Sequence, residues 1–257
     1  MRRFGRRGSS QSLDLRSTPV LTGAHDETGP GVTAARTLRN DRANSTREAI
    51  LAAAERLFAE HGVYAVSNRQ VSEAAGQGNN AAVGYHFGTK ADLVAAIESK
   101  HRLPIEQLRE QMVARTAEST DLRAWVACLV CPLTEHLAAM GYPTWYARFA
   151  AQAMADPTYQ ETMSKDALAS PSLVQVVKGI NRCIPALPDH VRTARSIMVR
   201  NLLMHTAAEW ERALAEGTPI PGSGWRQATS DLIDAIVGLW LAPVSASEKT
   251  LRGAPAK

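Results

Sequence analysis

Apolar residues first recur at helical spacing from Ile50, where Ile50, Ala53, Ala54, Leu57 and Phe58 share one face. Just ahead of them, Ser45-Thr46-Arg47-Glu48 has the form of a capping box, in which a hydroxyl and a carboxylate three residues apart satisfy amide donors that a helix start leaves open. The first helix is therefore expected from Ser45 to Gly62, a residue free to take the left-handed conformation that ends many helices. A second box, Ser67-Asn68-Arg69-Gln70, follows Val66, which is placed to act as a hydrophobic staple, and predicts a short helix with Val71, Ala74 and Ala75 inward. Gly76-Gln77-Gly78 breaks it, Asn79 or Asn80 can cap a third short helix through Phe87, and Gly88 ends that one. Thr89-Lys90-Ala91-Asp92 then caps a fourth, with Leu93, Ala96 and Ile97 as its apolar stripe.

The pattern stays helical to the end. Pro104 interrupts or kinks the fourth helix, and an apolar stripe from Leu122 to Met140 predicts a long fifth helix disturbed by Pro132. Pro143–Ala155, Pro171–Cys183 and Pro188–Glu216 read as further helices. The last, about Trp225 to Leu241, carries Leu232, Ile233, Ala235, Ile236, Val237, Leu239, Trp240 and Leu241 and is apolar nearly all round. Such a helix has to be covered on more than one side, by a second copy of the chain or by the core of a monomer. The expected fold class is all-α.

Composition changes this picture only at the ends. With 45% hydrophobic and 21% charged residues the 257-residue chain has ordinary globular values. Its longest apolar run, Ala235–Val244, is broken by Gly238 and Pro243, too short to cross a bilayer, so no membrane partner is expected. The arginines at the N-terminus are followed by Gly, Ser and Gln rather than by an apolar segment, and three cysteines are too few for a disulfide framework; a reduced, cytoplasmic setting is expected. The net charge of +4 lies wholly in residues 1–44, where eight arginines face four acids. That segment, rich in Gly, Ser, Thr and Arg and lacking apolar periodicity, is expected to be disordered, as is 243–257. It reads either as a basic arm that follows phosphates or as a solvated extension, even one from a misassigned start codon.

A helix, two short helices joined by a glycine-containing turn, and a longer helix is the layout of a helix-turn-helix unit whose third helix can enter a major groove. The residues carrying it, Ile50–Phe58, Gly62, Val71, Ala74-Ala75-Gly76 and above all Tyr85-His86-Phe87-Gly88-Thr89-Lys90-Ala91-Asp92-Leu93, resemble the N-terminal signature of the tetracycline-repressor (TetR) family over about residues 45–100. The resemblance implies an N-terminal three-helix helix-turn-helix DNA-binding domain at 45–92 and a C-terminal helical ligand-binding and dimerisation domain at 93–242. It further implies a homodimer on double-stranded operator DNA, acting as a repressor released by a small apolar effector. In its terms Lys90 contacts a phosphate, Tyr85 and His86 close the recognition helix against the DNA backbone, and Arg69 reaches a base. Asn79, Asn80, Ala81 and Ala82 lie where base-reading residues lie, since Asn can pair with adenine and Ala can touch a thymine methyl. Two departures stand out: Gly84 replaces a frequent tyrosine, and the Gly76–Asn80 turn is about one residue longer than in many members, which leaves the register of the third helix open by one position.

For an effector, the middle helices offer Trp125, Tyr142, Trp145, Tyr146 and Phe149, residues equally suited to an ordinary core. Rival readings rest on Cys128 and Cys131, spaced i, i+3 with His136 beyond, as a thiol or metal sensor, or on a helical enzyme with an unrecognised site. Buried among Val126, Ala127, Leu129 and Val130, the two cysteines behave equally as small hydrophobes. No P-loop, GxSxG or HExxH occurs, so no enzyme, metal or cofactor is expected. A non-specific nucleoid binder would rest on the basic tail alone.

Overall fold

The computed structural model describes residues 30–161, 163, 170–220, 222 and 224–244. The chain falls into two units, 1–42 and 43–257, and the account below concerns the second. Among the described residues all regular structure is helical: α1 (Pro30–His61), α2 (Asn68–Ala74), α3 (Ala82–Phe87), α4 (Lys90–Thr116), α5 (Leu122–Met140), α6 (Tyr146–Ala155), α7 (Pro171–Cys183), α8 (Asp189–Ala215) and α9 (Trp225–Leu241).

The start of α1 corrects the expectation at Ser45. Residues 30–44 are helical, and Ser45 sits inside α1 rather than at its cap. Pro30 suits a first helical position, and no glycine or proline interrupts the chain from Val32 to His61, so propagation overrides the local capping signal. Glu48, freed of any capping role, lies 3.9 Å from Arg47, whose guanidinium covers the Phe87 ring at 4.8 Å. The disorder expected for residues 1–29 and 245–257 falls outside the described residues.

The other two boxes form as read. Ser67 Oγ accepts from Gln70 N while Ser67 N donates to Gln70 Oε1 at 2.8 Å, and Thr89 and Asp92 do the same at the head of α4. Gly76, with φ +68°, turns the chain between α2 and α3, a conformation that costs a residue with a Cβ about 1 kcal/mol or more. Val66, Val71, Val83 and Leu93 close a small core under these helices. Phe58 stacks on Phe149 of α6, with centroids 6.3 Å apart, and joins that core to the rest.

Beyond α4 the helices form a bundle in which α5 lies centrally against α4, α7 and α9, while α6 packs on α8. Two contacts fix the geometry. The Trp125 indole lies flat on α7, so close that a Cβ on Gly179 would stand 2.1 Å from Trp125 Cδ2. At the start of α6 no side chain of its own caps the free amides; Glu211 of α8, 1% exposed, instead accepts from Ala147 N, Arg148 N and Arg148 Nε. A carboxylate there answers both the open donors and the positive end of the helix dipole. The expected boundary between residues 92 and 93 falls in the first turn of α4, which runs without a break from the small N-terminal core into the bundle. No helix among the described residues is long and apolar enough to cross a membrane.

Candidate functional site

The exposed side of the α2–turn–α3 segment is built by subtraction. Burying Ala82 and Val83 leaves Asn79, Asn80, Ala81, Gly84 and Tyr85 facing solvent, Tyr85 at 85% exposure. The turn also fixes the register: Asn79 Oδ1 accepts from Ala81 N at 2.9 Å, Ala82 N donates to the Asn79 carbonyl, and α3 begins at Ala82. Both asparagines therefore precede α3. Ala82 is a correction, because at 8% exposure its methyl belongs to the core and is closed to a base edge. His86 is half-buried with its ring edge-on to Tyr85, centroids 5.0 Å apart. Arg69 stands exposed on α2, its Nε 2.7 Å from Glu73 Oε1, and this partner raises the guanidinium's affinity for its proton.

Lys90 departs from the expectation of a phosphate contact. Its ammonium donates to the Val66 carbonyl at 2.6 Å and the Val63 carbonyl at 3.1 Å, tying the α1–α2 loop to the head of α4. Desolvation there lowers its pKa, with Asp156 opposing the shift. Tyr64, in the loop it secures, is 90% exposed and was not singled out from the sequence, because a lone aromatic between helices carries no pattern.

The five aromatics proposed to line an effector site are dispersed. Trp125 and Phe149 are core residues, Tyr142 is exposed, and Trp145 is covered by the Arg148 guanidinium at 4.4 Å. Only Tyr146 reaches the bundle's cavity, about 640 Å³, which lies among α4 to α9. Leu129, Leu133, Leu173, Ile180 and Leu203 give it apolar walls, and Glu98, Arg102, Glu106 and Arg109 bring charge along one face of α4. Arg109 Nη1 pairs with Glu106 Oε2 at 2.6 Å, and the hydroxyls of Ser170 and Ser172 donate to the other Glu106 oxygen. Burial would raise the Glu106 carboxyl, but these donors outweigh it and hold it below its usual range. The spacing 98, 102, 106, 109 was the available signal for this face; charges at helical spacing read equally as a solvated stripe.

A polar chain leads from the cavity toward α1. The Tyr146 hydroxyl donates to Glu98 at 2.9 Å, and its ring stacks on His101 with centroids 4.0 Å apart. His101 Nε2 donates to Glu55 Oε2 of α1 at 3.0 Å, where Lys100 also donates, and His101 Nδ1 lies 2.9 Å from His136 Nε2. Burial works against the Glu55 carboxylate, yet His101 and Lys100 outweigh it and its pKa is lowered. Burial and the neighbouring His101 push His136 down to about 4.

The thiols do not favour the sensor reading. Cys128 is buried beside Thr116, its pKa raised by desolvation, and burial drives Cys131 to about 11, so neither offers a ready thiolate. Among the described residues no group of three or more His, Cys, Asp or Glu side chains could hold a metal ion.

Residues 50–97 match the model of the bacterial regulatory proteins of the tetR family. No curated relative matches the chain. Among solved structures, a mutant of the HlyIIR protein superposes at a TM-score of 0.51 with 15% identity, covering 78% of this chain and 99% of that one. Native NalD of Pseudomonas aeruginosa, the secondary repressor of the MexAB-OprM multidrug efflux pump, gives 0.47 with 22% identity, covering 78% of this chain and all of the other.

Proposed function

We propose, from the match of residues 50–97 to the tetR family of bacterial regulatory proteins, that the chain is a homodimeric transcription regulator of that family, a repressor whose hold on operator DNA is weakened by a small molecule in the bundle cavity. The observation that carries the DNA-binding half is the outer side of the turn and α3. Asn79, Asn80 and Ala81 are exposed in the turn and Tyr85 on the short helix that follows, whose Ala82 and Val83 are buried, as a helix laid in a major groove requires. Asn80 and Arg69 read base edges, Tyr85 packs on the sugar-phosphate backbone, and Lys90 holds the loop that orients them. Arg69 has to exchange Glu73 for its base.

The dimer places α9 against its twofold mate, using the side that carries Ala235, Gly238 and Leu241, which remain exposed while Leu232, Ile233, Ile236 and Trp240 are buried. Effector action follows α4 and the chain Tyr146–His101–Glu55, since a molecule that displaces Glu98 or Tyr146 alters the group bonded to α1. The test is selection of bound sequences from random duplex DNA by the purified chain, then footprinting. The expected result is a pseudo-palindrome with half-sites about one helical turn apart or a multiple of it. Binding that shows no sequence preference over competitor DNA refutes the reading in favour of a non-specific binder.

A further inference from the structure

The polar groups of the cavity fall into two sets. The carboxylates have partners: Glu106 is engaged by Arg109, Ser170 and Ser172, Glu98 accepts from Tyr146, and Asp189 pairs with Arg192 at the rim. The atoms without a partner are donors. Arg109 Nε, Arg200 Nε and Trp240 Nε1 are buried with no hydrogen-bond partner, and all three residues line this one cavity. Arg200 forms none of the ion pairs seen among the described residues, although it sits on α8 a few turns from the tightly held Glu211. A buried donor left unmatched costs about 1–3 kcal/mol, more when it carries charge. Three in one largely apolar space call for acceptor atoms, and the uncompensated guanidinium calls for a negative one.

We propose that the cavity takes an amphipathic organic anion, whose carboxylate or sulfonate accepts from Arg200 and Trp240 with Arg109 alongside, while its hydrocarbon body lies against Leu129, Leu133 and Leu203. The inference rests on the reading of this cavity as an effector site. It sharpens that reading by excluding amines, since a cation meets Arg109, Arg200 and Arg102 and finds each carboxylate already engaged. A volume of about 640 Å³ suits a body of two or three fused or linked rings.

The test is a matched pair of fluorescent probes: 8-anilinonaphthalene-1-sulfonate and N-phenyl-1-naphthylamine, which share their apolar body and differ by the sulfonate. The full-length protein is expected to bind the sulfonate at one site per protomer about tenfold or more tighter than the neutral probe, the scale of one charge-assisted hydrogen bond. Arg200→Met is expected to abolish that advantage and leave the neutral probe unchanged. Trp240→Phe, which keeps the ring volume but deletes the donor, is expected to cut it several-fold, and serves should Arg200→Met melt early. Equal binding of the two probes, no binding of the sulfonate, or sulfonate binding indifferent to both substitutions overturns the proposal. Operator affinity read in the same samples separates it from its premise. Sulfonate binding that obeys Arg200 but leaves DNA bound retains the ligand class and removes the release mechanism; DNA release by the neutral probe alone does the opposite.

Discussion

On the outer side of the turn and α3, Asn79, Asn80 and Tyr85 stand in solvent, whereas around the bundle cavity Arg109, Arg200 and Trp240 keep donor atoms buried without an acceptor. On the proposed readings both regions await a partner, but they hold their polar groups at different cost. Solvated groups on a surface lose little by waiting, so the reading surface can be altered without harm to the fold. Buried donors already lower stability, and their partner raises it. Between the two lies the Glu55–His101–His136 cluster, whose hydrogen bonds are made within the chain.

The contrast can be broken most forcefully at that junction. Glu55→Gln leaves His101 and Lys100 facing a neutral amide in a buried site, and unfolding free energy is expected to fall by about 3 kcal/mol, as when one member of a buried pair is removed. Chemical denaturation measures this; a change within experimental scatter would mean the cluster is not structural. On the reading surface, Asn80→Ala is expected to cost about 1–3 kcal/mol in operator binding, little on random DNA, and nothing in melting temperature. Arg69→Ala is expected to shift preference at one symmetric pair of base positions, also without a change in stability. A loss of stability in either variant would erase the distinction between surface and interior.

Lys90→Met sharpens the comparison, because it tests a residue assigned to DNA by resemblance and to the fold by geometry. Losing the donor to the Val63 and Val66 carbonyls is expected to cost about 1–2 kcal/mol of stability, with the salt dependence of DNA binding unaltered. A salt slope smaller by about one unit per reading head, with stability intact, would restore the phosphate role.

The smallest expected effect is on pH. His136 titrates at about 4 in the folded chain against an ordinary value near 6.5, so the unfolded chain binds more protons between those values. Stability is therefore expected to fall as pH drops from about 6.5 toward 4, and His136→Asn is expected to flatten melting temperature over that window. An unchanged slope in the variant would assign the acid sensitivity to other groups.

What could be read from the sequence follows the same division. The boxes at Ser67 and Thr89, the glycine stops and the order of the helices rest on signals a few residues long, and they stand in the structure. The box at Ser45 fails because helix propagation from Pro30 is stronger than a local cap. Lys90 was legible as a position but not as a contact, since two carbonyls 24 and 27 residues away take its ammonium. The cavity's lining, Tyr146 apart, was not legible because aromatic content reports burial rather than what a ring faces. Trp125 and Phe149 fill the core while Arg109, Arg200 and Trp240, drawn from three helices, meet only in the folded bundle.

Pro104 gives α4 a mechanical character. A proline inside a helix offers no amide to the carbonyl four residues back, here that of Lys100, so the helix loses one bond of its ladder at that level. The cavity walls Glu98, Arg102, Ile105, Glu106 and Arg109 span this weak point, and roughly 20 Å from it, toward the start of α4, Lys90 grips the α1–α2 loop. Pro104 is thus the level of α4 at which the hydrogen-bond ladder resists bending least. The Trp125 ring, wedged against Gly179, packs α5 tightly on α7. On the proposed reading, a small tilt of α4 about Pro104 would be magnified over that length at the loop that Lys90 holds.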